Sequence, residues 1–418
     1  MTVAGVAIWT IAATVIAGIV IRPWKVPEAV WAVSGAALLV LLRLTSVRDA
    51  LHGVASGTDV YLFLLGMMLL SEVARQAGLF DSLAARAARL ARGSAVRLFT
   101  MIYAVGTVVT IFLSNDATAV VLTPAVATVV RTVQARNALP YLLICAFTAN
   151  AASFVLPISN PANLVIFGGD MPSLLAWLRR FILPSLASIT ATYVALRWTQ
   201  RRAFEQDIES EVNVPPLDRG SRTAAYGILA TGVCLTLASA FHVALGLPTC
   251  LAGAATATVV VVRTSLRPLD LLKKVAWSAL ALVAGLFVIV QALEHTDAIA
   301  SLFRTFHTES ERSPTGASWL AGGVVGVASN LTNNLPAGLV AGRMLHSAAY
   351  PEVVSGAVMI GVDLGPNLSV TGSLATILWL RALRADGQDI SAWSFLKTGA
   401  IVMPLALALS LGTLLLLR

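Results

Sequence analysis

Residues 112–125 read FLSNDATAVVLTPA, and this sequence interrupts an apolar stretch that extends from 97 to 133. The interruption consists of three polar residues, Ser114, Asn115 and Asp116. Polar side chains at membrane depth are tolerated only where protein or a water-filled cavity surrounds them. A re-entrant hairpin, in which one helix enters the membrane and a second returns to the same side, provides such a place. The stretch therefore predicts a hairpin with these three residues at its tip.

A second apolar stretch, 315–347, has a similar interruption in its middle. Its polar residues belong to the sequence SNLTNNLP at 329–336. The same reasoning predicts a second hairpin, whose tip includes Asn333 and Asn334.

Two further apolar stretches, 138–167 and 351–380, are also broken. They are interrupted by PISNPAN at 157–163 and by GPNLSVTGS at 365–373. Pro and Gly at these points remove helix hydrogen bonds and leave backbone groups unpaired. We therefore predict two discontinuous helices.

Landmarks recur along the chain at a nearly constant distance, which indicates an internal duplication. Each half has three crossings, an amphipathic stretch, a hairpin, a broken crossing and a final crossing. Five crossings per half is an odd number, so the halves must lie inverted in the bilayer. Paired interruptions in inverted halves indicate the binding site of a transporter. The matched landmarks are Gly66 with Gly285, Asn115–Asp116 with Asn333–Asn334, and Ser159 with Thr371, which are 219, 218 and 212 residues apart.

The composition is that of a membrane protein. Of the 418 residues, 57% are hydrophobic and 12% are charged, and the mean hydropathy is +0.81. An ordinary soluble protein carries about 25% charged residues. A cytosolic enzyme, a nucleic-acid-binding protein and a disordered chain are therefore excluded. The net charge is +8, and in a membrane protein such an excess of Lys and Arg usually marks cytoplasmic loops. The three cysteines lie too far apart for a disulfide framework.

The predicted fold class is an all-α polytopic membrane protein with two inverted repeats. It has about 10 transmembrane helices of roughly 20 residues, two re-entrant hairpins and two broken helices. The first repeat is expected at 1–196 and the second at 223–418, joined by a charged cytoplasmic linker at 197–222. The expected crossings are 3–21, 27–42, 59–77, 138–167, 173–196, 223–244, 247–262, 275–294, 351–380 and 392–416.

The distribution of basic residues predicts the orientation. With the N-terminus outside, 21 of the 29 lysines and arginines fall on the cytoplasmic side. Cytoplasmic loops of membrane proteins carry an excess of Lys and Arg. The pattern therefore predicts a multi-pass protein of the bacterial inner membrane with both termini periplasmic. The eight basic residues expected outside are Arg43, Arg48, Arg179, Arg180, Arg304, Arg312, Arg343 and Arg418.

The four interruptions are rich in amides and hydroxyls and contain no Lys or Arg. These groups donate and accept hydrogen bonds, and broken helix ends add unpaired N–H and C=O groups. Such a site suits a small polyhydroxylated solute or a dehydrated cation better than a dicarboxylate, although capping is an alternative role for any one residue. The candidate substrate-binding residues are Ser114, Asn115, Ser159, Asn160, Asn163, Asn333, Asn334, Asn367, Thr371 and Ser373.

Asp116 is the candidate proton carrier. Burial in the membrane disfavours its ionised form, whereas N–H groups at the start of a helix favour that form. Two opposing effects of this kind suit a group that binds and releases a proton; the alternative is an ionised N-cap. Asp363 is the equivalent candidate in the second half, and we expect Glu72 to pair with Arg75 one turn away. No Walker A loop, metal-ligand spacing or cofactor pattern is present in the sequence.

At these positions the sequence resembles the ArsB family of arsenical pump membrane proteins, within the ion transporter superfamily. The resemblance covers essentially the whole chain. Four sequence strings carry the resemblance, and the one that begins at residue 361 is the most specific. The sequence after Asp116 departs from the family, because it reads AlaThrAla where a Gly-containing hairpin tip is expected. The strings are FLSNDATAVVLTPA at 112–125, LPISNPANLV at 156–165, NNLPA at 333–337 and GVDLGPNLSVTGSLATILW at 361–379.

The resemblance implies export of trivalent arsenic and antimony from the bacterial cytoplasm by exchange with protons. It also implies that a soluble ArsA-type ATPase is a possible partner. Two rivals come from the same superfamily: a sodium/proton antiporter of the NhaD type and a transporter of dicarboxylates or other anions. The GPNLSVTGSLAT sequence argues against the first, and the lack of Lys or Arg in the interruptions argues against the second. A channel subunit that depends on an ATPase is a third alternative.

Overall fold

The computed structural model describes residues 2–205, 208, 209, 214, 216–241, 243–264, 266–294 and 296–417. Within these residues it contains α-helices, short 3-10 and π-helical turns, and no β-strand.

The first half contains eleven α-helices in its described residues. A π-helical turn, Thr118–Leu122, joins the seventh helix to the eighth. The helices are α1 (Val3–Ile21), α2 (Glu28–Leu41), α3 (Val47–Ser56), α4 (Thr58–Gln76), α5 (Leu79–Ala91), α6 (Ala95–Leu113), α7 (Asn115–Ala117), α8 (Thr123–Thr132), α9 (Leu139–Ala151), α10 (Pro161–Phe167) and α11 (Leu174–Thr199).

The second half contains ten α-helices in its described residues. They are α12 (Arg219–Ala240), α13 (Gly246–Arg263), α14 (Pro268–Lys274), α15 (Trp277–Glu294), α16 (Asp297–Arg312), α17 (Pro314–Thr332), α18 (Asn334–Ser347), α19 (Glu352–Leu364), α20 (Leu374–Ala385) and α21 (Ala392–Leu416). Part of the predicted linker 197–222, namely 206, 207, 210–213 and 215, lies outside the described residues.

Seven described helices are long and apolar enough to cross a membrane, namely α1, α6, α11, α12, α13, α15 and α21. Helices α3 and α4 form an eighth candidate with a bend of 45°. The polytopic all-helical fold class is therefore confirmed. The predicted count of about ten is reached when α6 is set aside as a hairpin arm and α2 and the two broken crossings, α9–α10 and α19–α20, are added. None of these three additions is continuous over about 20 residues.

The two predicted hairpins have their breaks where the sequence places them. Helix α6 ends at Leu113 and α7 begins at Asn115, so Ser114 alone separates the two arms. In the second hairpin, Asn333 alone separates α17 from α18. Helix α6 has the length of a full crossing, and α5 packs against both α6 and α8, so α5 connects the two arms of the first hairpin.

The matched glycines have equivalent roles in helix packing. Helix α4 packs against α13, and α15 packs against α2. A Cβ atom on Gly66 would lie 2.3 Å from the carbonyl oxygen of Thr249, and one on Gly285 would lie 2.6 Å from the carbonyl carbon of Ala32. Each glycine thus permits close approach of two backbones, as small residues do in membrane helices. These contacts support the duplication, while the repeat boundaries stay a prediction.

The backbone corrects the register of the hairpin match by one residue. Ser114 and Asn333 both have positive φ, at 102° and 77°, and they are 219 residues apart, as are the matched glycines. Asn115 therefore corresponds to Asn334, and Asp116 corresponds to Leu335. The predicted pairing of Asn115–Asp116 with Asn333–Asn334 was wrong because neighbouring Asn residues make the alignment ambiguous.

The broken helices need the same correction. Asn160 caps α10 and Ser373 caps α20, and these two residues are 213 apart rather than 212. Helices α9 and α19, which have 13 residues each, follow the same offset. Asp363 therefore corresponds to Asn150, and the predicted equivalence of Asp363 with Asp116 was wrong because the two aspartates lie on different kinds of element.

Candidate functional site

The two hairpin tips and the two broken helices meet around one small, narrow crevice of about 10 Å³, room for about one water molecule. Each half contributes its hairpin tip and the start of the second part of its broken helix, while α4 and α15 close the remaining side. The lining residues are Asn115, Asp116, Asn160 and Pro161 from the first half, Asn334, Leu335, Leu374 and Ala375 from the second, and Leu64, Ala279 and Val283 from α4 and α15.

The crevice has a mixed lining, and part of its polar character comes from helices that begin at its wall. Helices α18 and α20 start at Asn334 and Leu374, which both line it. The first N–H groups of a helix have no partner within that helix, and several of those at this wall are satisfied by other parts of the protein. The Asn334 N–H already donates to the carbonyl oxygen of Gly372 at 2.9 Å, which ties the second hairpin to the second broken helix.

Asn115 and Asn333 shape the two tips. The Asn115 Oδ1 accepts a hydrogen bond from the N–H of Asp116 at 2.9 Å. The Asn333 Oδ1 accepts one from the N–H of Leu335 at 3.3 Å. Both asparagines therefore hold the first turn of the returning arm. For Asn333 this capping contact accounts for the side-chain oxygen, whereas Asn115 and Asn334 also line the crevice.

Asp116 lies at the junction of two crevices. It lines the small crevice and also a larger one of about 160 Å³, which extends along α4 past Glu72 to Lys274. Among the described residues no hydrogen bond or ion pair to its carboxylate is found, whereas Glu72 pairs with Arg75 at 2.6 Å, as predicted. Asp116 thus places a carboxyl group, unpartnered among the described residues, at the wall of the larger crevice.

Asp363 has a different environment, because it is fully buried. Its Oδ1 accepts a hydrogen bond from the Asn160 Nδ2 at 2.7 Å, and its Oδ2 lies 2.8 Å from the Ser153 Oγ. The Ser153 Oγ also lies 2.8 Å from the carbonyl oxygen of Asn150. The Ser153 hydroxyl is therefore shared between the Asp363 Oδ2 and the carbonyl oxygen of Asn150.

Asn160 connects the two aspartates. Its Oδ1 accepts a hydrogen bond from the N–H of Ala162 at 3.0 Å and so caps α10. Its Nδ2 reaches Asp363, while its side chain lines the same crevice as Asp116. A ligand in the crevice would therefore contact a residue that is bonded directly to Asp363.

The buried asparagines Asn163 and Asn367 support the breaks from behind the crevice. The Asn163 Nδ2 donates to the carbonyl oxygen of Ser153 at 3.0 Å. The Asn367 Nδ2 donates to the carbonyl oxygen of Phe147 at 3.2 Å, and its Oδ1 accepts from the Asn150 Nδ2 at 3.0 Å. Neither side chain lines the crevice. Both satisfy backbone groups that the broken helices leave unpaired.

Ser159 and Thr371 also bind backbone behind the crevice. The Ser159 Oγ donates to the carbonyl oxygen of Ile111 in α6 at 2.9 Å. The Thr371 Oγ1 donates to the carbonyl oxygen of Asn330 at 3.2 Å. These two bonds tie each broken helix to the first arm of the hairpin in its own half. The Ser373 Oγ accepts from the N–H of Thr376 at 3.1 Å and caps α20, and Ser114 lines the larger crevice.

Sequence reasoning left three polar residues of this region out of the candidate set. Asn330 binds the carbonyl oxygen of Gly365 through its Nδ2 at 2.6 Å and accepts from the Ser369 Oγ at 2.9 Å. Ser153 and Asn150 are completely buried beside Asp363. Asn150 and Asn330 could have been found because they lie one to two turns before a break inside an otherwise apolar helix, whereas Ser153 follows the end of α9.

Comparison with known proteins places the chain among membrane transporters. The family model described as "CitMHS: Citrate transporter" matches residues 11–368. The chain is 27% identical over 404 residues to the "46 kDa membrane protein" of Mycobacterium leprae, covering 92% of this chain and 93% of that protein. It is 25% identical over 352 residues to the "Arsenical pump membrane protein" of Escherichia coli, covering 81% of each. The resemblance to arsenical pump proteins is thereby confirmed.

The fold is also similar to a solved structure. The crystal structure of the YdaH transporter of Alcanivorax borkumensis aligns with a TM-score of 0.55 and 15% identity. The alignment covers 88% of this chain and 86% of the YdaH chain. Because the family model spans most of the chain and the fold agrees, this protein is a multi-pass membrane transporter that belongs to the CitMHS citrate transporter family of the ion transporter superfamily.

Proposed function

We propose that this transporter exports arsenite, as As(OH)₃, and antimonite from the cytoplasm in exchange for protons. The observation that carries the proposal is the crevice between the hairpin tips. It combines amide side chains with one carboxyl group, Asp116, that has no hydrogen-bond partner among the described residues. An alternating-access cycle around this site would couple the two movements.

The chemistry of the lining suits a small neutral triol. Trivalent arsenic near neutral pH is As(OH)₃, whose three hydroxyl groups both donate and accept hydrogen bonds. Asn115, Asn160 and Asn334 line the crevice, and an amide can both donate and accept hydrogen bonds. The Asn160 amide is already bonded at both ends and the Asn115 Oδ1 caps its own hairpin arm, so the Asn334 amide and the Asn115 Nδ2 are the groups proposed to bind the solute. An amide set of this kind can bind a triol without any charged partner.

Citrate is the second candidate, and the family description together with two observations favours it. Lys274 lines the larger crevice, and helices α18 and α20 begin at the small one, where helix N-termini favour anions. Against it, no Lys or Arg is among the residues that line the small crevice, and Asp116 would repel a carboxylate there. The geometry therefore favours the neutral solute.

Asp116 is the proposed coupling group, and Asp363 is the proposed second one. In this scheme Asp116 takes up a proton when the site faces outside and releases it into the larger crevice when the site faces the cytoplasm. The contact from Asn160 to Asp363 allows the occupancy of the crevice to influence the buried carboxyl group. Proton release and solute binding then alternate at the same place.

The remaining features of the proposal follow from the charge distribution. We propose an inner-membrane location with both termini periplasmic and the linker 197–222 cytoplasmic. The proton gradient would drive transport without an ATPase site in this chain, and an ArsA-type ATPase is an optional partner.

The test of the substrate uses purified protein in proteoliposomes under an imposed proton gradient, with sodium absent. We expect accumulation of arsenite and antimonite that collapses with a protonophore, and no accumulation of citrate. Accumulation of citrate without arsenite would replace the proposal by the citrate alternative. Proton movement that appears only after sodium is added, without transport of either solute, would favour the NhaD-type antiporter.

A further inference from the structure

One partly buried ion pair joins the second hairpin to the helix that packs beside it. The Arg343 Nε of α18 lies 3.4 Å from the Glu294 Oε1 of α15. The Arg343 Nη2 also donates to the Gln291 Oε1 of the same helix at 3.4 Å. The side chains of Arg343 and Glu294 are 30% and 25% exposed. The returning arm of this hairpin is therefore bonded to the C-terminal end of α15, from which the chain continues into α16.

The matching place in the first half has no such bond. The offset of 219 residues carries Gln291, Glu294 and Arg343 onto Glu72, Arg75 and Pro124. There the ion pair forms within α4, between Glu72 and Arg75. Proline has no charged side chain with which to reach α4. The larger crevice lies at this unbonded place, between α4 and the returning arm of the first hairpin, and it extends to Asp116.

The space beside the bonded hairpin is not a polar route. An apolar cavity of about 540 Å³ lies between α15 and the second hairpin. Among its lining residues only Trp9 and Thr332 carry polar side-chain groups, and it does not include the tip residue Asn334. A polar solute at the hairpin tips is therefore separated from this side and has its opening on the side of Glu72.

We infer that Arg343, with Glu294 and Gln291, forms a latch that closes the transport path on the side predicted to face outside. The structure is closed at the latch and open on the opposite side, as one state of an alternating-access cycle. Opening toward the outside requires that these contacts break, because they hold the hairpin arm against α15. The inference concerns the transport path and does not depend on which solute is transported.

The test measures access to the site and needs no substrate. Leu64 lines both crevices, so Leu64→Cys, in a chain whose three native cysteines are replaced by alanine, reports access to the centre. A membrane-impermeant thiol reagent is added from the latch side in oriented proteoliposomes. We expect Arg343→Gln to raise the labelling rate about fivefold, the population shift that corresponds to loss of an ion pair worth about 1 kcal/mol.

Two further variants separate the latch from a general loss of structure. The reversed pair Arg343→Glu with Glu294→Arg is expected to return the labelling rate toward that of the parent. Arg312→Gln, which removes an exposed ion pair within α16, is the matched control and should leave the rate unchanged. A rate in Arg343→Gln equal to the parent, or an equal rise in Arg312→Gln, would overturn the inference.

Discussion

Removal of the Asp363 carboxyl group should destabilise the protein, whereas replacement by the isosteric amide should not. In Asp363→Ala the Asn160 Nδ2 loses its 2.7 Å acceptor in a fully buried place. An orphaned buried donor costs about 1–3 kcal/mol. Ser153 keeps the carbonyl oxygen of Asn150 as its acceptor, so only one donor is orphaned. Partial loss of packing adds about 1 kcal/mol, which gives a total of about 2–4 kcal/mol.

The amide variant tests the hydrogen-bond count directly. In Asp363→Asn the new Oδ1 accepts from the Asn160 Nδ2 and the new Nδ2 donates to the Ser153 Oγ, which keeps the carbonyl oxygen of Asn150 as its acceptor. The expected change in the free energy of unfolding is therefore below about 1 kcal/mol. Titration with sodium dodecyl sulfate in mixed micelles measures both variants, with the exposed Glu311→Ala as control. Equal destabilisation by Asn and Ala, or none by Ala, would refute the reasoning.

Two further changes test the packing and the linker end. Gly66→Ala should lower the melting temperature in detergent, because the new Cβ overpacks against Thr249 at a cost of about 1–3 kcal/mol. The control Gly323→Ala should leave the melting temperature unchanged, because no atom lies within 4 Å of its new Cβ. Equal melting temperatures of the two variants would contradict the close approach of α4 and α13 at Gly66. Asp218→Ala should cost about 1 kcal/mol, because Asp218 caps α12 by accepting from the N–H of Ser221 at 2.6 Å. That backbone hydrogen bond lowers the pKa of Asp218 in the folded protein. The contribution of Asp218 to stability is therefore fully present above the unfolded pKa of about 3.9 and is lost as the pH falls through the lower folded pKa. Unfolding of the parent and Asp218→Ala at pH 7 and pH 3 measures this loss, and a stability difference that does not change with pH would contradict it.

The positions of the breaks could be predicted from the sequence because polar residues in an apolar stretch are conspicuous. Ser114 and Asn333 each separate two helices at the predicted tips. The register between the halves could not be predicted, since it depends on which of several neighbouring Asn residues takes positive φ. The backbone angles decide this in favour of Ser114 and Asn333.

The division of the polar residues between the crevice and its support could not be predicted either. Asn160 and Asn163 stand three residues apart in one interruption, yet only Asn160 lines the crevice. The difference depends on partners far away in sequence, such as Asp363, which is 203 residues from Asn160. The same distance explains why Ser153 was missed, because its partner lies in the other half of the chain.

The measurement that tests the central claim most directly is arsenite accumulation in inverted membrane vesicles, with and without a proton gradient, for the parent and Asp116→Asn. Since no partner of the Asp116 carboxylate is found among the described residues, this variant should fold as the parent does, which its yield and melting temperature check. The account predicts gradient-driven accumulation in the parent and its loss in Asp116→Asn. Full gradient-driven accumulation in Asp116→Asn would contradict the assignment of Asp116 as the coupling group.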